Sequence, residues 1–193
     1  MGENNVNIIS EVFTLDFTQS KTYANLMAAF AGESQARNKY SFYAKEAHKN
    51  GYEQISRIFN ETADNERAHA ELWFRHLHGN TMPGTPEGLE DAASGEWYEF
   101  SEMYKQFAAE AEQEGYTEIA ALFSKVANIE KEHHDRFLKL YENIKHGIVF
   151  KRDGIKLWKC QNCGHIHAAE SAPQVCPVCK KPQSYFEIKA ENY

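Results

Sequence analysis

Cysteine is absent from the first 159 residues of this 193-residue chain, and all four cysteines fall in the last 34. Disulfides therefore cannot hold the body together, which has to rely on a packed core. No apolar run approaches the ~20 residues that a membrane-spanning helix takes. The opening residues, Met1 to Val6, lack a basic stretch followed by an apolar one, and Val6 breaks the myristoylation pattern. A secretory route and a lipid anchor are thus not expected, and the cytoplasm is. Positive charge is scarce in the body: residues 1–150 carry 14 basic and 24 acidic side chains. That balance argues against nucleic acid as a partner. Residues 151–193 reverse it, with 7 basic and 4 acidic side chains, so the tail could dock on an acidic body, its own or a neighbour's.

What is present fits a soluble globular protein: 42% apolar and 13% aromatic residues at a mean hydropathy of −0.66. Four helical patterns fill the first 146 residues. The first runs from about Ser20 to Lys49 and closes at Asn50-Gly51; the second runs from about Glu53 to His78 and stops at Gly79. The third is expected to begin near Ser94, as N-cap, and to end before Gly115. The fourth starts under Thr117 and continues to about His146. Short turns at Gly51 and Gly115 predict two antiparallel hairpins. Between them, 79–93 holds Pro83, Gly84, Pro86 and Gly88, and reads as the single long crossover of a ferritin-like bundle. Residues 1–17 read as an extended N-terminal arm, with Val12, Phe13, Leu15 and Phe17 available for packing.

The hairpins repeat each other at an offset of 64. Tyr40 matches Tyr104, Glu46 matches Glu110, and Gly51-Tyr52 matches Gly115-Tyr116. Ile55, Phe59, Ala63, Glu66 and His69 match Ile119, Phe123, Ala127, Glu130 and His133. Each Glu-x-x-His step points a carboxylate and an imidazole the same way from a face that otherwise reads as core. Carboxylates there are costly unless paired or bound to metal, so a cation is expected between the helices.

Helix one adds Glu33. Helix three adds Glu96 and, three residues on, Glu99. Glu33 and Glu96 each follow a glycine, at an offset of 63, so the repeat drifts by one residue there. Five carboxylates (Glu33, Glu66, Glu96, Glu99, Glu130) with His69 and His133 form a hard, mixed oxygen and nitrogen donor set that suits iron or manganese. Glu132 and His134 flank the second step but point off its face. His48, His76, His78, His146, His165 and His167 read as surface residues, and Tyr40 and Tyr104 as hydrogen-bond donors behind the ligands or as core.

The cysteines form two knuckles, Cys160-x-x-Cys163 and Cys176-x-x-Cys179, suited to one tetrahedral metal, zinc or a single iron. Gly164 and Pro177 suit their tight turns, and Trp158, Tyr185 and Phe186 supply a small aromatic core. Spacing alone does not separate zinc from iron.

With these motifs in place the chain resembles a rubrerythrin over nearly its whole length. The segments that carry the resemblance are Ala31-Gly32-Glu33-Ser34, Glu66-Arg67-Ala68-His69, Gly95-Glu96-Trp97-Tyr98-Glu99 and Glu130-Lys131-Glu132-His133, with Trp158-Lys159-Cys160 through Cys176-Pro177-Val178-Cys179 behind them. The resemblance implies a mainly α chain: an arm at 1–17, a ferritin-like di-iron four-helix bundle at 18–147, and a rubredoxin-like iron-tetrathiolate domain at 148–193. It implies a non-haem di-iron peroxidase that reduces hydrogen peroxide to water. Electrons would come from a rubredoxin-type or NAD(P)H-dependent reductase through the four-cysteine iron. Glu66 and Glu130 would bridge two irons, Glu33 would bind one, and Glu96 with His133 the other. The first iron would exchange His69 for Glu99 as its redox state changes, and a head-to-tail homodimer is implied. A ferroxidase with a structural zinc-ribbon tail is the alternative.

Overall fold

The computed structural model describes residues 16–191. Most of the predicted N-terminal arm, Val12, Phe13 and Leu15 included, lies outside the described residues. The chain divides into two units, one ending at Pro83 and the other beginning at Gly84.

The first unit is a helical hairpin. A short 3-10 turn, Phe17–Gln19, leads into α1 (Lys21–Lys49), whose N-cap Ser20 accepts a hydrogen bond from the Tyr23 backbone N–H at 3.0 Å. α1 ends where Gly51 adopts φ +79°, and Tyr52 N–H reaches back to Ala47 O at 2.9 Å. That left-handed step is cheap for glycine and reverses the chain at once into α2 (Glu53–Leu77). The seam between the helices is lined by small buried residues, Ala44, Ala47, Ser56, Ala63 and Ala70, which let the backbones approach closely. Ser56 Oγ satisfies itself by donating to Ala44 O at 2.9 Å.

The second unit repeats this plan. α3 (Thr85–Tyr98), a π-helical turn (Glu99–Met103) and α4 (Tyr104–Gln113) follow one another without a break. Gly115 at φ +86°, with Tyr116 N–H donating to Ala111 O at 2.8 Å, turns the chain into α5 (Thr117–Lys145). The aromatic clusters are superposable by number: Tyr40–Phe59 ring centroids lie 6.0 Å apart and Tyr104–Phe123 5.9 Å, both tilted by 35°. Tyr43–Phe59 and Phe107–Phe123 follow at 5.6 and 5.7 Å. The duplication read from the sequence is thus a duplication of packing.

One boundary differs from expectation. α3 begins at Thr85, with Pro86 in its first turn, and not near Ser94. Proline has no N–H to lose there and its fixed φ suits a helix start. Ser94 is inside the helix, donating its hydroxyl to Glu90 O at 2.8 Å. The long crossover predicted over 79–93 is therefore only residues 78–84. Thr117, expected as a cap, is instead the first residue of α5.

After α5 comes a three-stranded antiparallel sheet, β1 (Lys151–Cys160), β2 (Ile166–Ser171) and β3 (Phe186–Ile188), with β1 in the centre. Its core is Trp158, Cys160, Ala172, Cys176 and Phe186. Trp158 is fully buried and donates Nε1–H to Ala169 O at 3.0 Å. Tyr185 is not part of that core. It stands partly exposed, with the Lys181 ammonium 5.0 Å above its ring.

Candidate metal centres

Among the described residues, three groups of side chains are close enough to hold ions. Glu33, Glu66 and His69 form one in the first unit, and Glu96, Glu130 and His133 form its counterpart in the second; within each, the donor atoms lie within 4.8 Å of one another. His69 Nδ1 is 2.9 Å from Glu66 Oε2 and 3.8 Å from Glu33 Oε2. His133 Nδ1 is 2.7 Å from Glu130 Oε2 and 3.7 Å from Glu96 Oε1. In both, Nδ1 is the nitrogen turned toward the carboxylates. Oxygens and one nitrogen converging on a common point, on a largely apolar face, suit a hard divalent cation. The carboxylates are the more sheltered members, Glu66 and Glu130 most of all.

Glu99 stands outside the second triad and is coupled to it through space. Its carboxyl pKa is raised, first by burial and then by the charges of Glu96 and Glu130, with His133 opposing. The Tyr104 phenol is likewise raised, by burial, then Glu99, Glu130 and Glu96, and so keeps its proton beside this acidic group. His134 turns away, its Nδ1 2.8 Å from Ala93 O, so it ties α5 to α3 and is not a ligand.

The π-helical turn is the feature that periodicity alone passes over. Tyr104 N–H reaches Glu99 O, five residues back, which accommodates one extra residue in the helix. The sequence carried its signal: Tyr104 is eight residues beyond Glu96, whereas Tyr40 is seven beyond Glu33. The one-residue drift in the repeat is this turn. It begins at Glu99, at a level where the first hairpin has Ala36 and no acid.

The third group is Cys160, Cys163, Cys176 and Cys179. Cys160 and Cys179 sulfurs are 3.7 Å apart, and Cys163 and Cys176 sulfurs 3.6 Å. A disulfide needs about 2.05 Å. Four thiolates held tetrahedrally at a metal–sulfur distance of about 2.3 Å stand about 3.8 Å apart, so the spacing fits a metal. Each knuckle closes on a left-handed residue, Gly164 (φ +77°) and Lys180 (φ +62°), whose N–H groups donate to Cys160 O and Cys176 O at 2.9 and 3.0 Å. Crowding splits the thiols. Cys179 is lowered to about 6, first by the Lys181 backbone N–H. Cys163 has help from the His165 N–H, yet burial and the other three sulfurs push it up to about 12. A cation is what would let all four ionise together. His165, expected at the surface, instead has Nε2 buried without a hydrogen-bond partner.

Comparison with known proteins decides the lineage. A family model described as Rubrerythrin matches residues 24–141, and one described as Rubrerythrin, rubredoxin-like domain matches residues 158–187. The chain belongs to the rubrerythrin family. Rubrerythrin-1 of Clostridium acetobutylicum is 47% identical over 189 residues, covering 90% of this chain and 97% of that protein. Rubrerythrins of Porphyromonas gingivalis and Nitratidesulfovibrio vulgaris are 44% and 43% identical, each over 90% of this chain, covering 92% and 97% of those proteins. The fold class is the expected one: mainly helical, with a small C-terminal strand domain around four cysteines. Carboxylate–histidine groups and a four-cysteine group, the donors of a rubrerythrin-type di-iron site and a rubredoxin-like site, are both present, and iron is the metal the family implies. No helix among the described residues is long and apolar enough to cross a membrane.

Proposed function

We propose that this protein is a cytoplasmic, homodimeric peroxidase of its family, reducing hydrogen peroxide to water with electrons fed through its own four-cysteine iron. The observation that carries the reading is the fifth carboxylate, Glu99, beside the Glu96–Glu130–His133 triad in a chain that also bears a tetrathiolate group. Glu33, Glu66, His69, Glu96, Glu99, Glu130 and His133 would hold two irons, which would supply the two-electron reducing chemistry that one peroxide needs. Glu66 and Glu130, the most sheltered carboxylates, would be the ligands held deepest in the site. Glu33 with His69, and Glu96 with His133, hold the outer positions.

Glu99 has the properties of a movable acid. Burial and neighbouring negative charge favour its protonated form, and it opens a π-helical turn, a local departure from regular helix of the kind found at functional sites. It would deliver a proton to the departing oxygen and would exchange with His69 as a metal ligand. Tyr104, kept protonated beside it, would donate a hydrogen bond to the carboxylates. Cys160, Cys163, Cys176 and Cys179 would hold an iron, which would supply one-electron chemistry fed by a rubredoxin-type or NAD(P)H-dependent reductase.

Iron counting beside steady-state peroxide reduction, driven by such a reductase, tests the assignment. Three irons per chain and sustained turnover are expected. Three irons without peroxide turnover would remove the peroxidase reading, and zinc in the cysteine site of protein isolated from iron-replete cells would remove the electron relay.

A further inference from the structure

Each hairpin is sealed along the line where its own helices meet, and the two seals differ. In the first hairpin α2 presents Ser56, Ala63 and Ala70 to that seam at seven-residue steps, 8%, 5% and 8% exposed. Their counterparts on α5 are Ala120, Ala127 and His134. Ala120 is buried likewise, at 6%, but Ala127 and His134 are only half-buried. The methyl group that is closed in at Ala63 is therefore open at Ala127. Across the seam from Ala127 the second hairpin has its π-helical turn, Glu99–Met103, where the first has regular α1.

An extra residue in one helical turn makes the backbone bulge. A groove of about 450 Å³ opens there, with Phe100, Tyr104, Ser124, Ala127, Asn128 and Lys131 on its walls. The first hairpin has a groove too, but that one runs toward the Gly51 turn, past Ala44, His48 and Glu53. Tyr40, the counterpart of Tyr104, does not line it.

The groove leads from the back of the second hairpin to its ligands. At about 100° per residue, Ser124 and Asn128 stand roughly 120° and 160° round α5 from Glu130, so the mouth lies on the flank away from the triad. The inner wall is Tyr104, whose phenol feels the charges of Glu99, Glu130 and Glu96. Ring contacts close the seam on either side: Phe100 and His134 centroids are 5.6 Å apart, and Tyr104 and Phe123 centroids 5.9 Å. Between those closures the seam residue of α5 is Ala127. The mouth carries hydrogen-bonding groups, the Asn128 amide and Ser124, whose hydroxyl donates to Ala120 O at 3.1 Å and keeps its lone pairs for a guest. The Lys131 ammonium is held by Asp135 at 2.8 Å. A small neutral molecule that both donates and accepts hydrogen bonds fits such a passage, and a bulky one meets the rings.

We propose that this groove is the entrance by which hydrogen peroxide reaches the Glu96–Glu130–His133 triad, and that Ala127 sets its width and so excludes bulky hydroperoxides. The proposal rests on the peroxidase reading and adds to it the path and the size limit of the substrate.

Ala127→Leu fills the passage from within, and Asn128→Trp covers its mouth from an exposed position. Both are expected to keep bundle iron and to slow single-turnover oxidation of fully reduced protein by hydrogen peroxide. The fall should be roughly 10-fold or more, the scale on which single methylene groups discriminate in a fitted site. Azide binding to the oxidised protein, followed by absorbance, separates a gate from a damaged site: its on-rate and off-rate should fall together and leave Kd unchanged. Ala127→Gly widens the passage, and tert-butyl hydroperoxide should gain several-fold on hydrogen peroxide. Asp64→Trp makes the Asn128 substitution at the matching place in the first hairpin and should alter none of these rates.

Unchanged peroxide and azide rates in both filled variants would overturn the entrance. Equal slowing by Asp64→Trp would do the same, as would a shifted azide Kd with its on-rate intact. Iron-loaded wild type that binds azide but leaves peroxide untouched would remove the peroxidase reading itself, and the azide rates would still decide the route.

Discussion

Cys160→Ala protein is expected to lose the red colour of a ferric tetrathiolate centre and nearly all reductase-driven peroxide turnover, while keeping its bundle irons. Cys160 ends β1, is fully buried, and contributes both a ligand sulfur and part of the small core with Trp158, Cys176 and Phe186. Its removal leaves three thiols, one short of the four that a tetrathiolate site takes. Metal binding in a module of this size is also folding free energy. The sheet should therefore loosen, seen as a gain in Trp158 fluorescence quenching by iodide. The helical hairpins have their own alanine seams and aromatic clusters, so far-UV helicity should be unchanged. Turnover that survives the loss of colour would show that electrons enter the bundle by another route.

Glu99→Ala addresses the other half of the circuit. A general acid in the right place contributes roughly 100-fold to 10,000-fold, so peroxide turnover should fall at least about 100-fold. Both triads are left intact, so two bundle irons should remain. Glu99→Gln, which keeps the size and loses the titrating group, should be nearly as slow. A ferroxidase would behave differently, since Glu33, Glu66, His69, Glu96, Glu130 and His133 suffice as a dimetal donor set without Glu99. Unchanged turnover in Glu99→Ala would remove both the proton relay and the ligand exchange assigned to it.

Much of this was legible before any coordinates, because it was written in short-range periodicity. Glu66 with His69 and Glu130 with His133 share a helical face by spacing alone, and each triad forms within a single hairpin closed by Gly51 or Gly115. The cysteine knuckles were equally local. Three features escaped. Thr85–Ala93 reads as crossover in the sequence because Pro86 and Gly88 are poor helix formers on average, yet proline in a first turn costs nothing.

The π-helical turn shows in the sequence only as a one-residue drift in the repeat, since face-by-face periodicity assumes one helix type throughout. His165 escaped because burial in a module built around metal ligands follows strand register and knuckle closure. Hydrophobicity does not report it.

The most direct test of the whole account is an anaerobic titration of fully reduced protein with less than one equivalent of hydrogen peroxide, watched by the colour of the cysteine site. Each peroxide should be consumed for two electrons, and the ferric tetrathiolate colour should rise in step as that iron refills the bundle. Peroxide consumed while the cysteine site stays colourless would contradict the account, as would a site that colours without peroxide loss.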